Sequence, residues 1–134
     1  MYKRIALLMV LCVLGGCLCA QTKTDRKKNL VVKEMNMKSQ TAAPMLDHQT
    51  TYDAKGRKIE EIEYNSSQKQ KSREVYEYEG DAKKPKREID YNDKNKVVCI
   101  KLFEYDAQGQ KTKQYKYDAH GKLLSMKVYE YSYK

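Results

Sequence analysis

The chain has 134 residues, enough for one modest domain. Its 27 lysines and arginines outnumber 18 acids, a formal charge of +9, although acids run through every segment. That balance fits a solvated two-signed surface, or an anionic partner such as a polysaccharide or a membrane surface; no glycine-rich phosphate loop or nucleophile motif is present, which removes those enzyme classes.

Residues 1–20 read as a targeting segment and not as part of the fold. Lys3 and Arg4 precede an apolar run, Ile5 to Leu14, of signal-peptide length and too short to span a bilayer. Gly15 and Gly16 break the run. Two exits fit. Cleavage after Ala20 leaves Gln21 as the new end, with Leu18 bulky for the position three before the cut. Alternatively, Leu14-Gly15-Gly16-Cys17 resembles a bacterial lipobox, in which Cys17 is acylated and becomes the first mature residue. Cys12, Cys17 and Cys19 sit in or beside this segment, and the last two are too close together for a CxxC motif. That leaves Cys99, an unpaired thiol in an apolar stretch, expected to pack as a small hydrophobe.

Residues 21–28 are polar and basic and are expected to form a flexible leader. An N-terminal segment over 29–51 follows. Asn29 to Lys38 is expected to hold a strand, because Leu30, Val31 and Val32 favour one. Ser39 to Pro44 is a loop by composition. Met45 and Leu46 are candidates to cap the core, and His48 to Tyr52 reads as an entry strand.

A repeat domain is expected over 52–134. Tyr52-Asp53-Ala54-Lys55-Gly56, Tyr105-Asp106-Ala107-Gln108-Gly109 and Tyr117-Asp118-Ala119-His120-Gly121 are three clear copies of one motif. Tyr64-Asn65-Ser66-Ser67-Gln68 and Tyr91-Asn92-Asp93-Lys94-Asn95 are weaker copies, and one starting at Tyr78 is distorted. The aspartate side chain can accept from backbone amides two residues on, which starts a turn. The glycine supplies the left-handed conformation that closes a short hairpin loop, and Asn95 is a fair substitute. Asp53, Gly56, Asp106, Gly109, Asp118 and Gly121 are therefore turn formers.

The segments between the turns alternate with period two. Two residues before each closing tyrosine stands Ile62, Tyr76, Ile89, Phe103, Tyr115 or Tyr129. One residue before it stands Glu63, Glu77, Asp90, Glu104, Lys116 or Glu130. Successive tyrosines are 12, 14, 13, 14, 12 and 14 residues apart. With Asp53 opposite Arg57 and Tyr52 opposite Lys58, an even spacing returns each tyrosine to the same face. The odd spacing coincides with the distorted loop Glu79 to Pro85, which absorbs the extra residue. Val98, Ile100 and Leu102, with Leu124, Met126 and Val128, form an apolar stripe on the other face. The fold class is all-β: an antiparallel β-meander of about 6–8 strands, as a single curled sheet or a partly closed barrel. A lone sheet with both faces wet is marginal, so curling, or cover from Leu30 to Leu46 or from a partner, is expected.

The Tyr-Asp-x-x-Gly units resemble the YD repeats of the Rhs family, and are similar to repeat lipoproteins and secreted proteins of Bacteroidetes-type bacteria. The resemblance covers roughly Tyr52 to Tyr131. It implies antiparallel β structure and an extracytoplasmic setting, with carbohydrate binding suggested for some members. Large Rhs proteins form a shell around a toxin; this chain is too short to enclose cargo.

No catalytic, cofactor-binding or metal-binding constellation is indicated. His48 and His120 read as solvated, and each turn aspartate lacks the several oxygens calcium requires. The candidate ligand face is aromatic: Tyr64, Tyr76, Tyr78, Tyr91, Tyr105, Tyr115, Tyr117, Tyr129 and Tyr131, with lysines between them. Plain packing of tyrosines against lysine stems explains the same residues. The expected function is that of a non-enzymatic exported interaction or scaffold module, either in the cell envelope or secreted. The alternative is a carbohydrate-binding module for acidic glycans. Expected partners are an envelope protein or glycan, not nucleic acid, with membrane contact only through a lipid on Cys17.

Overall fold

A computed structural model describes residue 23 and residues 25–133. Residues 1–20, read from sequence as a targeting segment, with both processing alternatives and Cys17, lie outside the described residues. Eight strands form one sheet: β1 (Val31–Asn36), β2 (Met45–Tyr52), β3 (Lys58–Tyr64), β4 (Gln70–Glu77), β5 (Arg87–Tyr91), β6 (Val97–Tyr105), β7 (Lys111–Asp118) and β8 (Leu123–Val128). Their order in space is their order in sequence, and every neighbouring pair is antiparallel. The sheet is open, with β1 and β8 as its edges, so the barrel alternative is not adopted.

The meander follows from local chemistry. Five of its turns are built alike. The Asp or Asn that opens each loop accepts two backbone N–H bonds: Asp53 from Lys55 and Arg57, Asn65 from Ser67 and Lys69, Asn92 from Lys94 and Lys96, Asp106 from Gln108 and Gln110, and Asp118 from His120 and Lys122. The fourth loop residue is left-handed each time, with φ of 74° at Gly56, 58° at Gln68, 56° at Asn95, 76° at Gly109 and 83° at Gly121. Gln68 is the costly occupant, since a Cβ disfavours this region. Its side-chain amide offsets that by bracketing Leu46, accepting from its N–H at 2.9 Å and donating to its carbonyl at 3.1 Å.

Each of these five turns is followed by a register shift. Tyr52 pairs with Lys58, but Thr51 pairs with Glu60, leaving Ile59 extra. The same happens at Lys71, Val98, Thr112 and Leu124. Such a bulge reverses the parity of the strand that carries it. The loop between β4 and β5 has the odd spacing and no shift, with Glu77 paired directly to Arg87. An even spacing with a bulge and an odd spacing without one give the same result. The tyrosines that close successive units therefore alternate between faces. The expectation of one tyrosine face fails for this physical reason.

Pairing partners share a face, so the register sorts the side chains. A polar face carries Glu61, Glu74, Glu88, Asp90, Lys101 and Lys116, together with Tyr52, Tyr76, Tyr78, Phe103 and Tyr105. An apolar face carries Ile62, Val75, Ile89, Ile100, Leu102, Tyr64, Tyr91, Tyr115 and Tyr117, and then Leu123, Leu124, Met126 and Val128 of β8.

Neither curling nor cover supplies a conventional core. Residues 30–46 extend the sheet sideways as β1 and the start of β2 instead of folding over the apolar stripe. The sheet therefore runs unbroken across the boundary expected at residue 52. Among the described residues only Thr50, Ile89, Cys99 and Phe103 are buried. The leader is tied down at its end: Asp25–Lys27 form a turn of 3-10 helix, and the Asn29 amide donates to the Asp53 carbonyl at 3.0 Å.

Candidate functional site

Antiparallel strands put alternate turns at opposite ends of the sheet. One end, the termini end, holds the Asp53 turn, the loop from Glu79 to Pro85, the Asp106 turn and both ends of the described chain. The opposite end holds the Asn65, Asn92 and Asp118 turns. Parity and direction reverse together from unit to unit. Tyr52, Tyr78 and Tyr105 thus line the termini end on the polar face, while Tyr64, Tyr91 and Tyr117 line the opposite end on the apolar face. Within a row, neighbours are two strands apart, about 9.5 Å.

The row at the termini end is a ladder. The Tyr78 hydroxyl donates to the Lys58 carbonyl at 2.7 Å, and Tyr105 to Pro85 at 2.7 Å. Tyr131, just past β8, donates to Lys111 at 2.8 Å. Each reaches 20 residues back, to the start of the neighbouring strand at the same end of the sheet. Cations cover the rings: Lys27 lies 4.9 Å from the centroid of Tyr52, Arg57 4.4 Å from Tyr78 and Lys84 5.7 Å from Tyr105. Elsewhere, Lys58 lies over Tyr76 at 4.5 Å, Arg73 over Tyr91 at 4.1 Å and Lys111 over Phe103 at 4.3 Å. Lys58 and Lys111 are paired with Tyr52 and Tyr105, as the spacing implied. Their ammonium groups reach other rings, because the side chains lean along the strand.

Loop-to-loop bonds run beside this ladder. Arg57 donates to the carbonyls of Gly80 at 2.8 Å and Ala82 at 3.0 Å, and pairs with Asp53 at 2.8 Å. Lys55 pairs with Asp81, and Lys84 donates to the Gly109 carbonyl. Burial pushes the Asp53 carboxyl upward. The Arg57 and Lys55 amides and the Arg57 guanidinium outweigh that and hold it below the ordinary range. Asp118 is held low chiefly by the Lys122 amide, with the His120 amide adding to it.

Between Tyr52 and Tyr78 lies an open groove of about 620 Å³, lined by Lys27, Lys55, Arg57, Lys58 and Lys83. A sister groove of about 460 Å³ lies by Tyr105 and Tyr131, with Lys84, Phe103 and Lys111. Of the nine candidate tyrosines, Tyr131 is exposed and the others are half-buried. Tyr129 accompanies the polar-face set through Gln114, its hydroxyl donating at 3.2 Å, while Tyr115 sits on the apolar face between Leu102 and Met126. The structure therefore brings together Tyr78, Tyr105 and Tyr131, and separates them from Tyr64, Tyr91, Tyr115 and Tyr117.

One polar-face cluster was not read from sequence. Glu74, Glu88 and Asp90 bring carboxylate oxygens within 4.8 Å of one another, the arrangement of a cation site. Lys101 already supplies the cation, paired with Glu88 and 3.0 Å from Asp90. Burial alone would lower the pKa of that ammonium, but the two carboxylates raise it above its ordinary range, so it stays charged. The Cys99 thiol donates to Asp90 at 2.9 Å; burial and that carboxylate push its pKa to about 11. The four residues come from three strands. Only cross-strand register joins Glu74 to Asp90 and Glu88 to Lys101, so no local motif announces them.

No family model matches the chain, and no curated protein matches it. Among solved structures, a mutant of S. aureus TarM in complex with fondaparinux, α-GlcNAc-glycerol and UDP is 17% identical. The likeness covers 78% of this chain and 20% of that protein, at a TM-score of 0.29. At that score it carries no argument on fold or function.

Proposed function

We propose that the chain is a non-enzymatic, exported β-repeat module that serves as an interaction scaffold in the cell envelope. The observation that carries this reading is how the reactive groups are used. Carboxylates, ammonium groups and phenols along the polar face are bound to one another or to backbone, strand by strand, instead of converging on an enclosed pocket. Such a sheet offers faces and edges to a partner. Export rests on the reading of residues 1–20 as a targeting segment and on the YD-repeat resemblance. Mass spectrometry of the native protein tests it: the expected amino terminus is Gln21 or an acylated Cys17. A chain that retains Met1 overturns export.

The acidic-glycan reading has one observation in its favour, the cation-lined groove between Tyr52 and Tyr78. Against it, cations already lie over several of the rings a sugar would stack on. Retention on a heparin column tests it. Lys83→Ala with Tyr52→Ala is the pair to change, because both side chains line that groove. Elution unaltered by that pair rejects the groove as a glycan site.

A further inference from the structure

The exposed large apolar side chains are not scattered. Among the described residues, and apart from Val98, all of them lie on or beside the edge strands β1 and β8. The two edges differ in how they are guarded. β1 presents Lys33 and Glu34 at its centre, and its pairing with β2 shifts there. Charges and bulges of this kind blunt an edge. β8 reads Leu123-Leu124-Ser125-Met126-Lys127-Val128, has no proline and a single charge, and is exposed along its whole length. Its own bulge, at Leu124, lies near its start and not at its centre; its inner side is bonded to β7, and among the described residues no strand lies on its outer side.

The geometry points to a second copy of this chain as the occupant of that edge, joined β8 to β8 about a two-fold axis at Met126. An axis normal to the sheet makes the two strands antiparallel and keeps each face on its own side. With Met126 opposite its own mate, Leu124 of each copy stands opposite Val128 of the other. All of these belong to the apolar face. On the polar face Lys127 stands opposite Ser125, so no like charges meet. The strand is self-complementary in that register. The joined sheet also carries the apolar face across the seam, from Leu102 through Tyr115 and Met126 into the second copy. This assigns the scaffold a particular surface and rests on the reading of the chain as an interaction module; the test below is independent of export and of ligand.

The experiment is sedimentation of the purified protein over a wide concentration range, with cross-linking. The expected result is a mass that doubles with concentration. Met126→Lys should weaken association by tenfold or more, because two ammonium groups would face each other at the axis. The side chain is 55% exposed, so the monomer should fold unchanged. Circular dichroism confirms that. Met126→Cys should form an interchain disulfide on mild oxidation, beyond that of the parent chain run alongside. Lys127→Cys, which faces Ser125 and not itself, should not. A protein that stays monomeric throughout overturns the inference, as does a dimer indifferent to Met126→Lys, or equal cross-linking of the two cysteine variants. A dimer lost on Leu102→Lys but kept with Met126→Lys is a face-to-face sandwich, and it too overturns the edge reading.

Discussion

Tyr78 shows what a repeat tyrosine does. Its hydroxyl holds a carbonyl at the start of the neighbouring strand, its ring carries the Arg57 guanidinium, and burial raises its phenol above the ordinary pKa. Removing the hydroxyl leaves the Lys58 carbonyl without that partner. Tyr78→Phe is expected to cost about 1 kcal/mol in urea unfolding; no loss would remove the ladder from the stabilising contacts. Gly109 makes a contrasting case. Nothing lies within 4 Å of a Cβ built there, but φ is +76°. Gly109→Ala should therefore cost about 1 kcal/mol through backbone conformation alone. At Cys99, a thiol with its pKa pushed to about 11 keeps little thiolate at pH 8. It should react with a thiol reagent only as fast as the sheet opens, which alkylation with and without urea measures.

At the scale of elements, the turn carboxylates set the acid limit. Asp53 and Asp118 have folded pKa values below the ordinary one. Their contribution is complete above the unfolded value of about 3.9 and is lost as pH falls through the folded values. Asn65 and Asn92 accept the same two amides without titrating. Asp118→Asn should thus keep the turn while flattening the loss of stability below about pH 4, measured by unfolding at a series of acid pH values. The bulges set the faces. Deleting Lys71 removes the bulge and makes the spacing odd, as in the loop between β4 and β5, so β4 should keep its faces and its cooperative unfolding; loss of cooperativity would show that the bulge itself is required. Deleting Lys83, in the loop without a bulge, should cost roughly 1 kcal/mol or less, since loop length matters weakly.

Among the described residues, the extensive contacts between strands are all with sequence neighbours, so stability spreads along the sheet as it does in repeat proteins. The buried residues Ile89, Cys99 and Phe103 concentrate in β5 and β6, and Thr50 lies in β2. Native-state hydrogen exchange should find β5 and β6 slowest and the edge strands fastest. Uniform protection would reveal cover on the apolar face, the kind of burial a marginal single layer needs.

The sequence by itself determined the turns, the strands and their antiparallel succession. Each of the five like turns is closed by bonds spanning four residues or fewer, and each strand is marked by its own alternation. Tyr52 opposite Lys58 and Tyr105 opposite Lys111 were legible for the same reason. Tertiary structure alone decided which way the tyrosines face, because one bulge residue per turn, such as Ile59 or Leu124, reverses parity without leaving a mark in the spacing. It alone decided the rings' partners, since hydroxyl bonds spanning 20 residues skip the neighbouring repeat. And it alone decided that the sheet stays open: pairing energy is local to adjacent strands, while closure requires β1 and β8 to meet, and no short-range signal encodes that distance.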